Sequence, residues 1–140
     1  MAKLKKPNKK ILVVEDEPLL SSMYVTVLRR AFRDIYQAST KQDGIKIIMR
    51  ILPDLILLDL MIPTTAVIDI KSDFHEPVGF ELLQEIRRFS KTKNTKVIIL
   101  SNLDADEHRQ RAIKLGAVDY IVKASVTPQL VADRVQQFLK

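Results

Sequence analysis

The 140 residues include no cysteine. That excludes a disulfide framework and a thiolate metal site, and it fits a reducing, cytoplasmic setting. Long apolar runs are lacking too. Behind the basic start the run "ILVV" is only four residues long before "EDE" interrupts it, too short for the core of a signal peptide. Nothing approaches the roughly 18 to 20 apolar residues of a membrane span. There is also no linker, low-complexity segment or internal repeat. The formal charge of +6 is local: "MAKLKKPNKK" holds five of the 23 basic side chains and no acid, leaving 18 bases against 17 acids in the rest. A short lysine tail (residues 1–10) on a nearly neutral body reads as a flexible, solvated extension. With no basic helix or aromatic-basic surface beside it, specific nucleic-acid binding is not expected.

What is present is an alternation of short apolar runs with longer runs at helical period, the signature of parallel βαβ units. Five strands are predicted, in "ILVV", "DIYQA", "DLILLD", "KVIILS" and "VDYIVK". Residues 55–58 are apolar without alternation, as expected of a central strand covered on both faces. Five helices follow the strands, over about 18–32, 40–51, 79–89, 104–116 and 127–139. Pro18 and Pro128 suit first helical turns, Thr127 suits a cap, and Gly116 suits a C-terminal cap. The whole is one α/β domain, residues 11–140, with the doubly wound strand order 2-1-3-4-5.

In such a sheet, ligands bind beyond the carboxyl ends of the strands, at the point where strand order reverses. The first strand closes on Glu15 and Asp16, the third on Asp59, the fourth on Ser101 and the fifth on Lys123. Singly these are ordinary residues: an acidic turn before a helix, a polar strand end, a surface lysine. Jointly they bring three carboxylates, a hydroxyl and an ammonium to one cleft. Two carboxylates about 4 Å apart repel by roughly 4 kcal/mol at an effective dielectric of about 20, so the cluster must take up a proton, a lysine or a cation. Oxygen-only donors favour a hard ion such as Mg²⁺. With that charge screened, Asp59 can attack phosphorus as a carboxylate nucleophile, and the chemistry becomes phosphoryl transfer to an aspartate.

The stretches "ILVVEDEP", "PDLILLDLMIP", "GFELLQEIR", "KVIILS", "AIKLGAVDYIVK" and "TPQLVADRV" resemble, in order, the receiver domain of two-component response regulators, a (βα)5 flavodoxin-like fold of the chemotaxis-regulator kind. The resemblance implies that Asp59 is the phospho-acceptor of a phosphorelay, fed by a sensor histidine kinase or a phosphotransfer protein. It implies that Asp16, Asp59 and the Met61 carbonyl bind Mg²⁺, with Glu15 acting mainly through water. Ser101 and Lys123 would hold the phosphoryl oxygens, and Ser101 with Tyr120 would form a switch that alters a surface for a downstream protein target. Self-phosphorylation and slow autodephosphorylation are the only reactions implied, not enzymatic turnover. The pattern ends with the fifth helix, so output is expected through a protein partner. A homodimer is left open.

Three features depart from the family pattern. Ala124 stands where proline, with a cis bond before it, usually follows the lysine; a cis bond to alanine costs about 3 to 4 kcal/mol. Asn102 replaces a small residue and would narrow access to Asp59. Fifteen residues separate Pro63 from Gly79, where about two to six are usual; this enlarged loop is expected to cover the cleft or to offer a partner surface. Its "AVIDI" could add a strand, while its Asp69, Lys71, Asp73, His75 and Glu76 lack metal-site spacing. The first two departures leave an unphosphorylated pseudo-receiver binding module as the alternative function. A haloacid-dehalogenase-type hydrolase is disfavoured, because Met61 stands where that family has its second aspartate.

Overall fold

In the computed structural model, which describes residues 5–66 and 76–139, the apolar runs form the middle of a five-stranded parallel sheet. Its strands are β1 (Lys10–Val14), β2 (Asp34–Ala38), β3 (Leu55–Leu58), β4 (Lys96–Ser101) and β5 (Asp119–Val122), in the order β2-β1-β3-β4-β5. Helices α1 (Pro18–Leu28), α2 (Lys41–Ile51), α3 (Val78–Arg88), α4 (Asp106–Lys114) and α5 (Pro128–Phe138) alternate with them. The expected strand order is the one found.

The period-2 alternation of the strands splits the core into two layers. Ile11, Val13, Leu55, Leu57, Ile98 and Leu100 face Leu28 of α1 and Val131 and Val135 of α5. Leu12, Val14, Ile56, Leu58, Val97 and Ile99 face Ile48 of α2, Phe80 and Leu83 of α3, and Ala112 of α4. β3 is buried on both faces along its whole length, as its unbroken apolar run requires.

Element ends differ from expectation where polar groups intervene. β1 begins at Lys10, whose N–H donates to Asp54 Oδ2 at 2.8 Å. α1 stops at Leu28, and the chain turns so that Phe32 drops into the core. β3 and β5 end one residue early, so Asp59 and Lys123 lie just past their strands and Lys123 opens a single 3₁₀ turn, Lys123–Ser125. Caps follow the expected chemistry. Thr127 accepts from the Leu130 N–H at 3.2 Å with Pro128 behind it, and Gly116 takes φ +80° after α4. Glu17 and Thr40 cap α1 and α2 in the same way.

One glycine decides how β3 and α3 meet. The Gly79 N–H donates to the Leu60 carbonyl at 2.9 Å, and a Cβ on Gly79 would stand 2.4 Å from Leu60 Cα and 2.6 Å from the Asp59 carbonyl oxygen. Both are backbone atoms, which cannot swing aside. Helix propensity alone favours alanine over glycine by up to about 1 kcal/mol, whereas overpacking typically costs about 1 to 3 kcal/mol. Gly79→Ala is therefore expected to destabilise the domain by about 2 kcal/mol; urea unfolding checks it, and a stabilised variant would contradict the steric reading.

Candidate functional site

The parallel register brings the carboxyl ends of β1, β3 and β4 level, with Val14 opposite Leu58 and Leu58 opposite Ile99. The next residues of β1 and β3 leave the sheet together. The Asp59 N–H donates to the Val14 carbonyl at 3.0 Å, and the Glu15 N–H to the Ala38 carbonyl at 3.0 Å. Backbone pairing thus aims Glu15 and Asp59 into one cleft, and Asp16 joins them. Each of the three offers a carboxylate oxygen within 4.8 Å of the others; Glu15 and Asp59 are buried and Asp16 is exposed.

Lys123 arrives from the far end of the chain as counter-charge. Its ammonium donates to Asp59 Oδ2 at 2.7 Å and to Glu15 Oε1, with only 10% of the side chain exposed. Burial alone would lower the lysine, but the hydrogen bonds to Asp59 and Glu15 and their charges outweigh it and hold the ammonium above its ordinary range. The second oxygen of Asp59 accepts from the Met61 N–H at 3.0 Å, and the second oxygen of Glu15 from the Glu17 N–H at 3.2 Å. Both buried carboxylates are thereby doubly satisfied.

Of the other expected site residues, Met61 contributes backbone, and its side chain points outward. Ser101 is fully buried, and its Oγ accepts from the Leu103 N–H at 3.3 Å. The Tyr120 hydroxyl donates to the Leu103 carbonyl, and the Arg109 guanidinium lies 5.0 Å from the Tyr120 ring centre. Ser101 and Tyr120 therefore hold opposite sides of the same residue. Burial pushes the Tyr120 phenol up, with Arg109 opposing.

At Asn102, expected to narrow the approach to Asp59, the side-chain Oδ1 accepts from the Ala124 N–H at 3.0 Å, tying the β4 exit to the β5 exit. The open question at Lys123–Ala124 is also answered, since no peptide bond among the described residues is cis. Of the enlarged loop, residues 67–75 lie outside the described residues, and with them most of "AVIDI" and Asp69, Lys71, Asp73 and His75. Its flanks are held. The Lys41 and Gln42 N–H groups donate to the Pro63 and Thr64 carbonyls at 2.9 and 3.1 Å, and Arg111 Nη2 donates to Glu76 Oε2 at 2.9 Å.

Sequence reasoning missed Tyr24, which lines the apolar floor beneath Glu15 and Asp59 together with Leu57 and Leu100. Its place in an α1 of largely apolar residues gave no signal. It also missed Leu103, which no side-chain chemistry marks.

A doubly wound sheet with three acids and a lysine at its reversal point defines a signalling receiver. Residues 11–135 match the response regulator receiver domain, and the chain belongs to that family, a module of two-component systems rather than a classical enzyme. The phosphate regulon transcriptional regulatory protein PhoB of Pseudomonas aeruginosa is 31% identical over 125 residues, which are 89% of this chain and 49% of that protein. The DNA-binding dual master transcriptional regulator RpaA of Synechocystis is 30% identical over 131 residues, 94% of this chain and 49% of that protein. The chain thus spans about half the length of these relatives. Among solved structures, the CheY-like receiver domain protein of Methanospirillum hungatei gives a TM-score of 0.77 at 22% identity, covering 95% of this chain and 94% of that one. The BeF3-activated receiver domain of Klebsiella pneumoniae RstA gives 0.73 at 25% identity, covering 94% and 98%. No described helix is long and apolar enough to cross a membrane.

The crowding of acids has a measurable consequence. Burial raises the Glu15 carboxyl from 4.5 to about 7, with the charge of Asp59 adding to the rise and the Lys123 hydrogen bond opposing it. The folded state thus binds the Glu15 proton more tightly than the unfolded chain does. The resulting stabilisation is full below about pH 4.5 and is lost as pH rises to about 7. With divalent ions chelated, urea unfolding is expected to show stability falling across this window, and Glu15→Gln to flatten the fall. An equally steep fall in the variant would contradict the assignment.

Proposed function

We propose that the chain is the phospho-acceptor of a phosphorelay, with Asp59 taking a phosphoryl group from the phosphohistidine of a sensor kinase or phosphotransfer protein. The observation that carries the reading is the contact of Lys123 Nζ with Asp59 Oδ2 at 2.7 Å in a cleft of three carboxylates. A receiver implies a histidine kinase in general; the particular kinase and the downstream protein belong to the proposal. The trans bond at Ala124 does not favour the pseudo-receiver alternative, because Lys123 reaches Asp59 without a cis bond before residue 124.

The donor set fits Mg²⁺, being oxygen-only, with carboxylate atoms within 4.8 Å of one another. Glu15, Asp16, Asp59 and the Met61 carbonyl would hold the ion, which when bound neutralises charge on the transferring phosphoryl group. In the transfer, a carboxylate oxygen of Asp59 forms the bond to phosphorus as the phosphorus–nitrogen bond of the phosphohistidine breaks. The electron pair of that bond returns to the imidazole. Lys123 and the Met61 N–H each hold one oxygen of Asp59 and so orient its carboxylate for the attack. Lys123 would also meet the charge that develops on the phosphoryl oxygens, and Ser101, at the end of the neighbouring strand β4, would supply a hydroxyl. Water later attacks the same phosphorus, releasing inorganic phosphate and restoring the carboxylate.

The link from Ser101 through Leu103 to Tyr120 supplies an output path. A phosphoryl group that draws the Ser101 hydroxyl releases the Leu103 N–H, and the Tyr120 contact to the Leu103 carbonyl is re-weighted with it. That is a shift between populations at the β4–α4 connection.

Incubation with Mg²⁺ and acetyl phosphate should add one hydroxylamine-labile phosphoryl group, read by intact-protein mass spectrometry. Asp59→Asn should abolish it. Lys123→Met should slow it about a hundredfold, the size of losing one preorganised donor to developing charge. No mass gain in the parent, or an unchanged gain in Asp59→Asn, would sink the reading.

A further inference from the structure

Lys123 sits on a flexible four-carbon stem, so its aim depends on the backbone that carries it. That backbone is one 3₁₀ turn, Lys123–Ser125, closed by a Val126 N–H contact to the Lys123 carbonyl at 3.4 Å. The first N–H groups of a helical turn have no partner within it. Ala124 supplies one of these orphans, and Asn102 Oδ1 accepts from it at 3.0 Å across 22 residues of chain. The contact requires both residue types. A proline at 124 would have no N–H to donate, and a residue without a side-chain acceptor at 102 could not answer it. Asn102 follows Ser101, which is fully buried at the end of β4.

We propose that Asn102 is a positioning residue for Lys123: by anchoring the Ala124 amide it sets the turn after β5 so that the ammonium meets Asp59. The assignment rests on the reading of Asp59 as phospho-acceptor. It makes two departures of this chain, Asn102 and Ala124, halves of one device, in which a side-chain acceptor restrains a trans turn. The opposite role, an obstacle in front of Asp59, requires the Asn102 side chain to point into the cleft rather than toward Ala124.

The test measures the rate of Asp59 phosphorylation by acetyl phosphate with Mg²⁺ in the parent, Asn102→Ala, Ala124→Pro and the double variant. Amide hydrogen exchange at Ala124 is followed by NMR in the parent, Asn102→Ala and Asn102→Asp. Removing the anchor should slow phosphorylation about fivefold, the effect of one ordinary hydrogen bond, and should change nothing in the Ala124→Pro background, which has no N–H to anchor. Ala124 should exchange faster in Asn102→Ala and at the parental rate in Asn102→Asp, which keeps an oxygen at the same reach. A rate that rises in Asn102→Ala in both backgrounds would make Asn102 an obstacle and overturn the proposal. An equal loss in both backgrounds would overturn it too, because the effect would not run through the Ala124 amide. If the parent takes up no phosphoryl group, the phospho-acceptor reading fails separately, and Ala124 exchange that ignores Asn102→Ala then overturns the anchor by itself.

Discussion

Two buried carboxylates, Glu15 and Asp59, share one ammonium, and the arrangement of the carboxyl edge of the sheet depends on that sharing. At 4% and 5% exposure, neither acid can rely on bulk water, and the charge of Asp59 adds to the cost of ionising Glu15. Lys123 meets both, from 108 and 64 residues away in sequence. The contact is possible only if β5 lies on the same side of β3 as β4, with every strand parallel, so that all the relevant exits open on one edge. Strand order and charge balance are here a single constraint. A buried cluster of this kind is weak evidence for stability, and burial holds the Glu15 carboxyl above its ordinary range.

Around that centre, the exits of β4 and β5 act together. Ser101 and Tyr120 grip Leu103 from its N–H and its carbonyl, while Asn102 grips Ala124. Three consecutive residues, 101 to 103, thereby connect the acidic cleft to the turn that carries Lys123 and to the ring on β5. These contacts join the β4 exit to the connection that leads into α4. Arg87 steadies the opposite edge, donating to the carbonyls of Lys93, Thr95, Leu115 and Gly116. That anchorage ties the end of α3 to the residues after α4 beside the amino end of β4.

The strands were legible in the sequence because burial on both faces of a parallel sheet demands unbroken apolar runs, and "LILL" and "VIIL" have no other comfortable home. The acidic cleft was legible for a related reason. A polar residue directly after such a run must leave the sheet at its carboxyl edge, and topology then gathers Glu15, Asp16, Asp59, Ser101 and Lys123. What could not be read were contacts between a side chain and a distant backbone group. Asn102 looks like bulk near a site until its oxygen is seen to face Ala124, and Arg87 looks like one more charge on an amphipathic helix. Gly79 reads as an indifferent helix start, although the reason for glycine there is the Leu60 backbone 2.4 Å from where a Cβ would be. Leu103 and Tyr24 are apolar and aromatic positions that periodicity assigns to packing alone.

The same glycine explains how the domain carries fifteen residues between Pro63 and Gly79 without disturbing its site. A connection perturbs a fold through the entropy of closing it and through any slack it transmits to its ends. The first is small: lengthening a connection from about four residues to about fifteen is two doublings, about 1.2 kcal/mol at 0.6 kcal/mol for each. The second is suppressed by backbone pairing at both ends. The Pro63 and Thr64 carbonyls are taken by the amino end of α2, and Gly79 is drawn onto Leu60 at hydrogen-bonding distance. Glu76 is additionally held by Arg111 of α4. The Leu60–Gly79 contact therefore closes the connection directly after Asp59. The contact of Glu76 with Arg111 puts residue 76 against α4, the element that follows the Leu103 connection.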